Sequence, residues 1–171
     1  MDRLYKRIIL GTIALSIFVA GCTVQYSLSG ASISPEVETV SIEYFPNHAP
    51  INKPGLSQDI VDALEEKIRS QTSLRVVNKQ GDVQFQGEIT DYGTEPVSIQ
   101  ANERAAQNRL TISLKVSYQN QINPEKSFEQ NFSQSEDYPS NQSLSDVEDE
   151  LSADIVEKLI QSIFNAAFVN W

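Results

Sequence analysis

Hydrophobic residues recur along this chain with two different periods, and the change between them separates strands from helices. Apolar and polar residues alternate along segments that begin near Val37, Val83 and Leu110, which predicts strands with one apolar face. A spacing near four residues predicts amphipathic helices from Gly55 to Ser70 and from Ser145 to about Phe168. The chain therefore contains both kinds of element.

The first strand, over residues 37–45, is expected to place Val40, Ile42 and Tyr44 together on its apolar face. The alternation over residues 110–118 is the most regular in the chain. It predicts a strand that buries one whole face.

Three further segments complete the expected sheet. Residues 74–77 predict a short strand, and residues 83–90 predict a longer one. The stretch from Gly93 to Asn108 is the least regular in the chain, and Val97 and Ile99 are the residues there that could extend a strand. Phe128 and Phe132 mark a more polar strand, which we expect at a sheet edge.

The second helix carries a broader apolar stripe than the first and begins with a recognisable sequence. Ser145-Asp-Val-Glu148 has the form of a capping box, in which the serine and glutamate side chains bond the first free backbone amides. We therefore predict that this helix starts at Ser145.

The element order is strand, helix, several strands, helix. Strands joined by short turns pair antiparallel, and two helices with one apolar stripe each cover one side of a sheet. We predict an α+β fold, with two helices packed on one face of a small, mostly antiparallel sheet and a polar opposite face. Leu114 and Leu159 are expected in the core between them.

The first 21 residues have a different character. A basic head from Met1 to Arg7 precedes an apolar run from Ile8 to Ala20, the pattern of a secretory signal. A membrane-spanning helix needs about 20 predominantly apolar residues, so a cleaved signal is favoured over an uncleaved anchor.

The apolar run ends in Val19-Ala20-Gly21-Cys22, which resembles the bacterial lipobox. In lipoproteins the cysteine thiol receives a diacylglycerol and becomes the new N-terminus. The sequence thus predicts a signal peptide over 1–21, a lipidated N-terminus and tether over 22–36 with lipid on Cys22, and a single domain over 37–171. A secreted protein with a free thiol is the alternative.

Charge and residue types exclude several functions. The net charge is −10, and because the leader carries three of the 13 basic and one of the 23 acidic residues, the mature charge is about −12. Nucleic-acid binding, which needs a basic surface, is therefore not expected. His48 is the only histidine, and no catalytic triad, metal motif or Gly-rich phosphate loop accompanies it. We expect no enzyme activity, metal or cofactor.

Two basic residues on one strand are the candidate binding residues. Lys115 lies on the polar face of the most regular strand, and Arg109 begins that strand. Against a negative background they form a candidate site for an anionic ligand. A scatter of surface charges that balance nearby acids is the alternative.

Several stretches of the mature chain together resemble the LptE family of lipopolysaccharide-assembly lipoproteins, in the form found in the Bacteroidetes. These stretches follow one another in the order Tyr26–Ile33, Leu56–Gln58, Gln71–Leu74, Gly81–Gly87, Asn108–Ile112, Phe128–Phe132 and Phe164–Trp171. The resemblance covers essentially the whole mature chain.

The resemblance implies an outer-membrane lipoprotein that partners the barrel protein LptD, plugs its lumen, helps it to assemble and takes part in delivering lipopolysaccharide to the outer leaflet. It implies two helices on a small sheet, in agreement with the pattern above. Some members of the wider family bind lipopolysaccharide through basic residues, and Arg109 and Lys115 are our candidates from charge alone. A scaffold for another envelope machine and an envelope lipid- or glycan-processing enzyme remain alternatives.

Overall fold

The fold was described from a computed structural model, which covers residues 33–97 and 106–169. The helices and strands follow one another in the predicted order. In chain order they are β1 (Thr39–Ile42), α1 (Leu56–Gln71), β2 (Arg75–Val77), β3 (Val83–Val97), β4 (Gln107–Asn120), β5 (Phe128–Pro139) and α2 (Leu144–Phe168), with a 3₁₀ turn at Pro124–Lys126 before β5.

The five strands form one mixed sheet in the order β2-β1-β3-β4-β5. β1 runs parallel to β2 and to β3, whereas β3, β4 and β5 pair antiparallel over most of their lengths. The β1–β2 pair is parallel because α1 carries the chain back along the sheet between them. The predicted α+β class and mostly antiparallel sheet are confirmed, and β5 lies at an edge as expected.

The core lies between the helices and one face of the sheet. Alternate residues of β4 are buried from Leu110 to Asn120, which gives this strand one fully covered face. Leu114 of β4 and Leu159 of α2 are both completely buried, as predicted. In the sheet, Leu114 pairs with Ile89 on one side and with Phe132 on the other.

The first strand is shorter than predicted, and the two aromatic residues that follow it have the opposite of the expected burial. β1 ends at Ile42, beyond which Tyr44 is 65% exposed and Phe45 is completely buried. The expectation for Tyr44 was wrong because the regular alternation stops with the strand. Phe45 then turns inward against Gly87 of β3, where its ring lies over the glycine backbone.

The third strand is longer than predicted and contains a bulge. β3 continues to Val97, and its register against β4 shifts between Ile89 and Asp91. The extra residue, Thr90, is exposed, so Ile89 and Tyr92 both face the core although they are three positions apart. Within the stretch expected to be irregular, residues 93–97 and 107–108 are strand, and Ile99 lies outside the described residues.

The second helix begins one position before the predicted capping serine. Its first residue is Leu144, and Ser143 occupies the N-cap without a side-chain capping bond. Glu148 accepts a hydrogen bond from the Tyr92 hydroxyl at 2.5 Å. The capping-box prediction was wrong, because this glutamate bonds a core tyrosine of β3.

Candidate functional site

The face of β3, β4 and β5 turned away from the helices is polar and at least partly exposed. Side chains alternate across a strand, so this face is built from the residues between the core positions. We call it the open sheet face. Its residues are Gln84, Gln86, Glu88, Asp91 and Glu95 on β3, Arg109, Thr111, Ser113, Lys115 and Ser117 on β4, and Glu129, Asn131, Ser133, Ser135 and Asp137 on β5.

Arg109 lies at one end of this face, between Glu95 of β3 and Asp137 of β5. Its guanidinium makes a two-pronged contact with Asp137, with Nε 2.7 Å from Oδ1 and Nη2 3.0 Å from Oδ2. This hydrogen bonding raises the pKa of Arg109 and lowers the pKa of Asp137. The arginine is held on this face by an acidic neighbour.

Lys115 lies at the other end, in register with Glu88 of β3. Its Nζ is 2.8 Å from Oε1 of Glu129 on β5, and this contact raises the pKa of the lysine. Lys115 comes six positions after Arg109 on the strand, about 20 Å away at roughly 3.4 Å per residue. The structure thus places both candidate cations on one face but does not bring them into one pocket.

On β4 and β5, uncharged residues fill the space between the two ion pairs, whereas Asp91 of β3 lies in register with Ser113. The Ser113 and Ser133 hydroxyls are 2.9 Å apart across β4 and β5, and Thr90 Oγ1 donates to the Ser113 carbonyl at 3.2 Å. Carboxylates outnumber the two cations on this face. The open sheet face is therefore a hydrogen-bonding surface with paired charges at its ends.

The single histidine lies beside this face and is held by the sheet. The His48 amide donates to the Ile89 carbonyl at 2.9 Å, and its ring Nδ1 lies 2.9 Å from Oε2 of Glu88. The imidazole remains largely exposed. Within residues 33–97 and 106–169, no group of three His, Cys, Asp or Glu side chains is placed to hold a metal ion.

The predicted lipid attachment site, Cys22, lies outside the described residues, as do the signal peptide and most of the tether. None of the helices in the described part of the chain combines the length and hydrophobicity that crossing a membrane requires. Attachment through Cys22 thus stays a prediction from the sequence.

The fold and its open face define a small α+β domain that presents a broad polar surface. The chain belongs to the LptE family: the family profile, described as lipopolysaccharide-assembly, matches residues 37–167. The resemblance drawn from the sequence is confirmed over nearly all of the folded domain.

Solved structures share the fold at low sequence identity. A lipoprotein B from Nitrosomonas europaea, described as uncharacterized, is 20% identical with a TM-score of 0.53, over 84% of this chain and 87% of its own. A minor lipoprotein from Acinetobacter baumannii is 11% identical with a TM-score of 0.50, over 77% of this chain and 94% of its own. No curated protein matches the sequence. These likenesses establish the fold, and the family assignment rests on the profile.

Proposed function

We propose that the mature protein is a non-enzymatic lipoprotein partner of an LptD-type outer-membrane barrel. It helps this barrel to assemble, and it helps the barrel to deliver lipopolysaccharide to the outer leaflet. The observation that carries this proposal is the family match over residues 37–167. It covers the elements that build both the core and the open sheet face.

The open sheet face supports a position inside a barrel. The lumen of a large outer-membrane barrel is polar and water-filled. A surface of serine, threonine and glutamine side chains forms hydrogen bonds there, and its charged ends are already neutralised by the Arg109–Asp137 and Lys115–Glu129 pairs. The other carboxylates of this face, Glu88, Asp91 and Glu95, would need water or polar partners in the lumen.

The predicted anchor supports the same location. Acyl chains on Cys22 would hold the protein to the membrane, since each buried methylene contributes roughly 0.8 kcal/mol. A tether over 22–36 would keep the domain close to the membrane surface and raise its effective concentration near a barrel. The two proteins of known structure described above are also lipoproteins.

Arg109 and Lys115 are proposed as contacts for lipopolysaccharide phosphates. Both are partly exposed cations on the open face. Because each is paired with a carboxylate, a phosphate has to compete with Asp137 or Glu129 for it. Binding through them is therefore expected to be weak and sensitive to salt.

The proposal is tested by purifying the tagged full-length protein from detergent-solubilised outer membranes and identifying co-purifying proteins by mass spectrometry. We expect a large barrel protein in near-equal amount, and none with an unrelated tagged lipoprotein. Another envelope complex without a barrel would make the protein a scaffold of a different machine. Purification of the protein alone, with turnover of envelope lipid or glycan, would favour an enzyme.

A further inference from the structure

A groove of about 650 Å³ runs between α1 and α2 on their solvent side, away from the open sheet face. The two helices run side by side in the same direction. Lys53, just before α1, contacts Asp149 in the first turns of α2, and Lys67 near the end of α1 contacts Gln161. We call this feature the helix groove.

The floor of the helix groove is apolar and made partly of small side chains. Ala63 and Ala153 leave space between the helices, and Val156 and Ile160 are almost fully buried beneath them. A groove of this kind accepts apolar side chains from an amphipathic segment.

The rim of the groove is acidic, with Asp59, Asp62 and Glu66 on α1 and Asp149 and Glu157 on α2. Of these five rim acids, only Asp149 forms an ion pair within the described part of the chain, with its Oδ1 2.7 Å from Lys53 Nζ. Asp59 and Glu157 lie near enough to Lys53 and Lys158, respectively, to help raise the pKa of those lysines.

The second lysine of the groove does not neutralise the rim. Lys67 donates to Gln161 Oε1 at 2.5 Å, and its Nζ lies 5.8 Å from the centre of the Phe164 ring. The helix groove thus keeps more acidic than basic side chains along its rim. Its surplus negative charge is available to a cationic partner.

The spacing of the acids indicates what kind of cation fits. Asp59, Asp62 and Glu66 lie at positions i, i+3 and i+7, in a row about 10 Å long at 1.5 Å rise per residue. A row of this length matches lysines or arginines that recur along one face of a peptide segment. A single small cation would meet only one part of it.

Ser152 lines the groove and is 2% exposed. Burial raises the pKa of Tyr92, whose hydroxyl donates to Glu148, and a contact from the Ser152 side chain opposes that rise. The Ser152 hydroxyl therefore belongs to the contact between α2 and β3, and the case for an occupant of the groove rests on its apolar floor and its acidic rim.

We propose that the helix groove docks a basic amphipathic segment of a partner protein. Its apolar residues would lie on the alanine-lined floor and its lysines or arginines along the acidic rim. The chain's own tether does not supply such a segment, because residues 23–36 contain no lysine or arginine. The proposal is independent of which envelope machine the protein serves.

The test uses fluorescent helical peptides with lysines at i, i+3 and i+7, leucines on the adjoining face, and a shuffled peptide of equal composition. Their binding to the full mature protein is measured by anisotropy at low and high salt. Neutralising two rim acids (Asp62→Asn with Glu66→Gln) should weaken binding of the patterned peptides roughly three- to tenfold. Ala153→Phe, which fills the floor, should weaken it as well.

The matched control removes the same charge elsewhere, with Asp91→Asn and Glu125→Gln, both exposed and outside the groove. We expect binding in this control close to that of the unmodified protein. Equal weakening by both double variants, equal binding of the shuffled peptide, or no binding of any patterned peptide would overturn the proposal. Each outcome is separate from whether a barrel co-purifies.

Discussion

The ring of Phe45 occupies the space that a side chain at Gly87 would need. A Cβ added to Gly87 would collide with that ring and lie 2.7 Å from the Lys115 carbonyl oxygen. The close approach lets the segment after β1 pack directly onto β3. The glycine in the alternating pattern of β3 is thus required by a partner that lies 42 positions earlier in the sequence.

Gly87→Ala should therefore destabilise the domain by about 1–3 kcal/mol, the usual cost of overpacking a core. The free energy of unfolding is measured by urea denaturation. Gly93→Ala on the same strand is the control, because a Cβ there would meet only Asp91 Oδ1 at an ordinary 3.8 Å. Equal stability of the two variants would contradict the packing of Phe45 described here.

Asp82 connects the start of β3 to β1 and should make stability depend on pH. Its Oδ2 accepts hydrogen bonds from the Glu38 amide and from the amide and hydroxyl of Thr39, at 2.8–3.0 Å. These bonds lower the pKa of Asp82 from its ordinary 3.8, and the bond from the Thr39 hydroxyl contributes most. A lowered pKa means that the stabilisation is full above pH 3.8 and is lost as pH falls through the folded-state value.

The melting temperature of Asp82→Asn should thus lie below that of the unmodified protein at neutral pH. The difference should shrink below pH 3.8 as the native carboxylate takes up its proton. Paired thermal melts from neutral to strongly acid pH measure this difference. A constant difference at every pH would show that the carboxylate charge does not contribute.

The ion pairs on the open sheet face allow lipopolysaccharide binding to be changed in both directions. Removing both cations, Arg109→Ala with Lys115→Ala, should weaken retention of lipopolysaccharide. Neutralising the acidic partners of these cations instead, with Asp137→Asn and Glu129→Gln, should free the cations and strengthen the retention of lipopolysaccharide. Each change is expected to be roughly three- to tenfold at low salt.

Surface plasmon resonance with immobilised mature protein and purified lipopolysaccharide measures both variants against the unmodified chain. The Asp91→Asn variant serves as a control for charge on the same face. If neither double variant changes binding, Arg109 and Lys115 serve only to join β4 to β5.

Cys22→Ala should abolish lipid attachment, since the chain contains no other cysteine. Cells are grown with a radioactive fatty acid, and the tagged protein is isolated and its label counted. We expect label in the unmodified protein and none in the variant. Undiminished label would refute the assignment of Cys22.

Much of the fold was predictable because it depends on local periodicity. The alternation along β4 and the four-residue spacing along α1 remain clear in the sequence, and the structure places these elements within one to three residues of the predicted ends. The edge position of β5 followed from its polar composition. Each of these properties is encoded by neighbours in the chain.

The errors arose where distant contacts decide the local structure. Tyr44 and Phe45 are both aromatic, and only the space above Gly87 determines which of them is buried. Glu148 looks like a capping residue until Tyr92 is brought beside it by the bulge in β3. Neither relationship leaves a local pattern.

The candidate site was predictable in part. The polar face and both of its cations followed from alternation, but their pairing with Asp137 and Glu129 depends on the register of β5 against β4. The helix groove was missed, although Asp59, Asp62 and Glu66 show the spacing of one acidic row. Only the packing of α1 beside α2 places a second acidic row across from it.

The central claim is that this protein supports a barrel that delivers lipopolysaccharide, and depletion of the protein tests it most directly. Expression is placed under a repressible promoter, and surface lipopolysaccharide and correctly assembled barrel are measured as the protein disappears, with re-expression of the native gene as the control. We predict that both quantities fall together and recover on re-expression. Normal surface lipopolysaccharide and a normally assembled barrel in fully depleted cells would contradict the account.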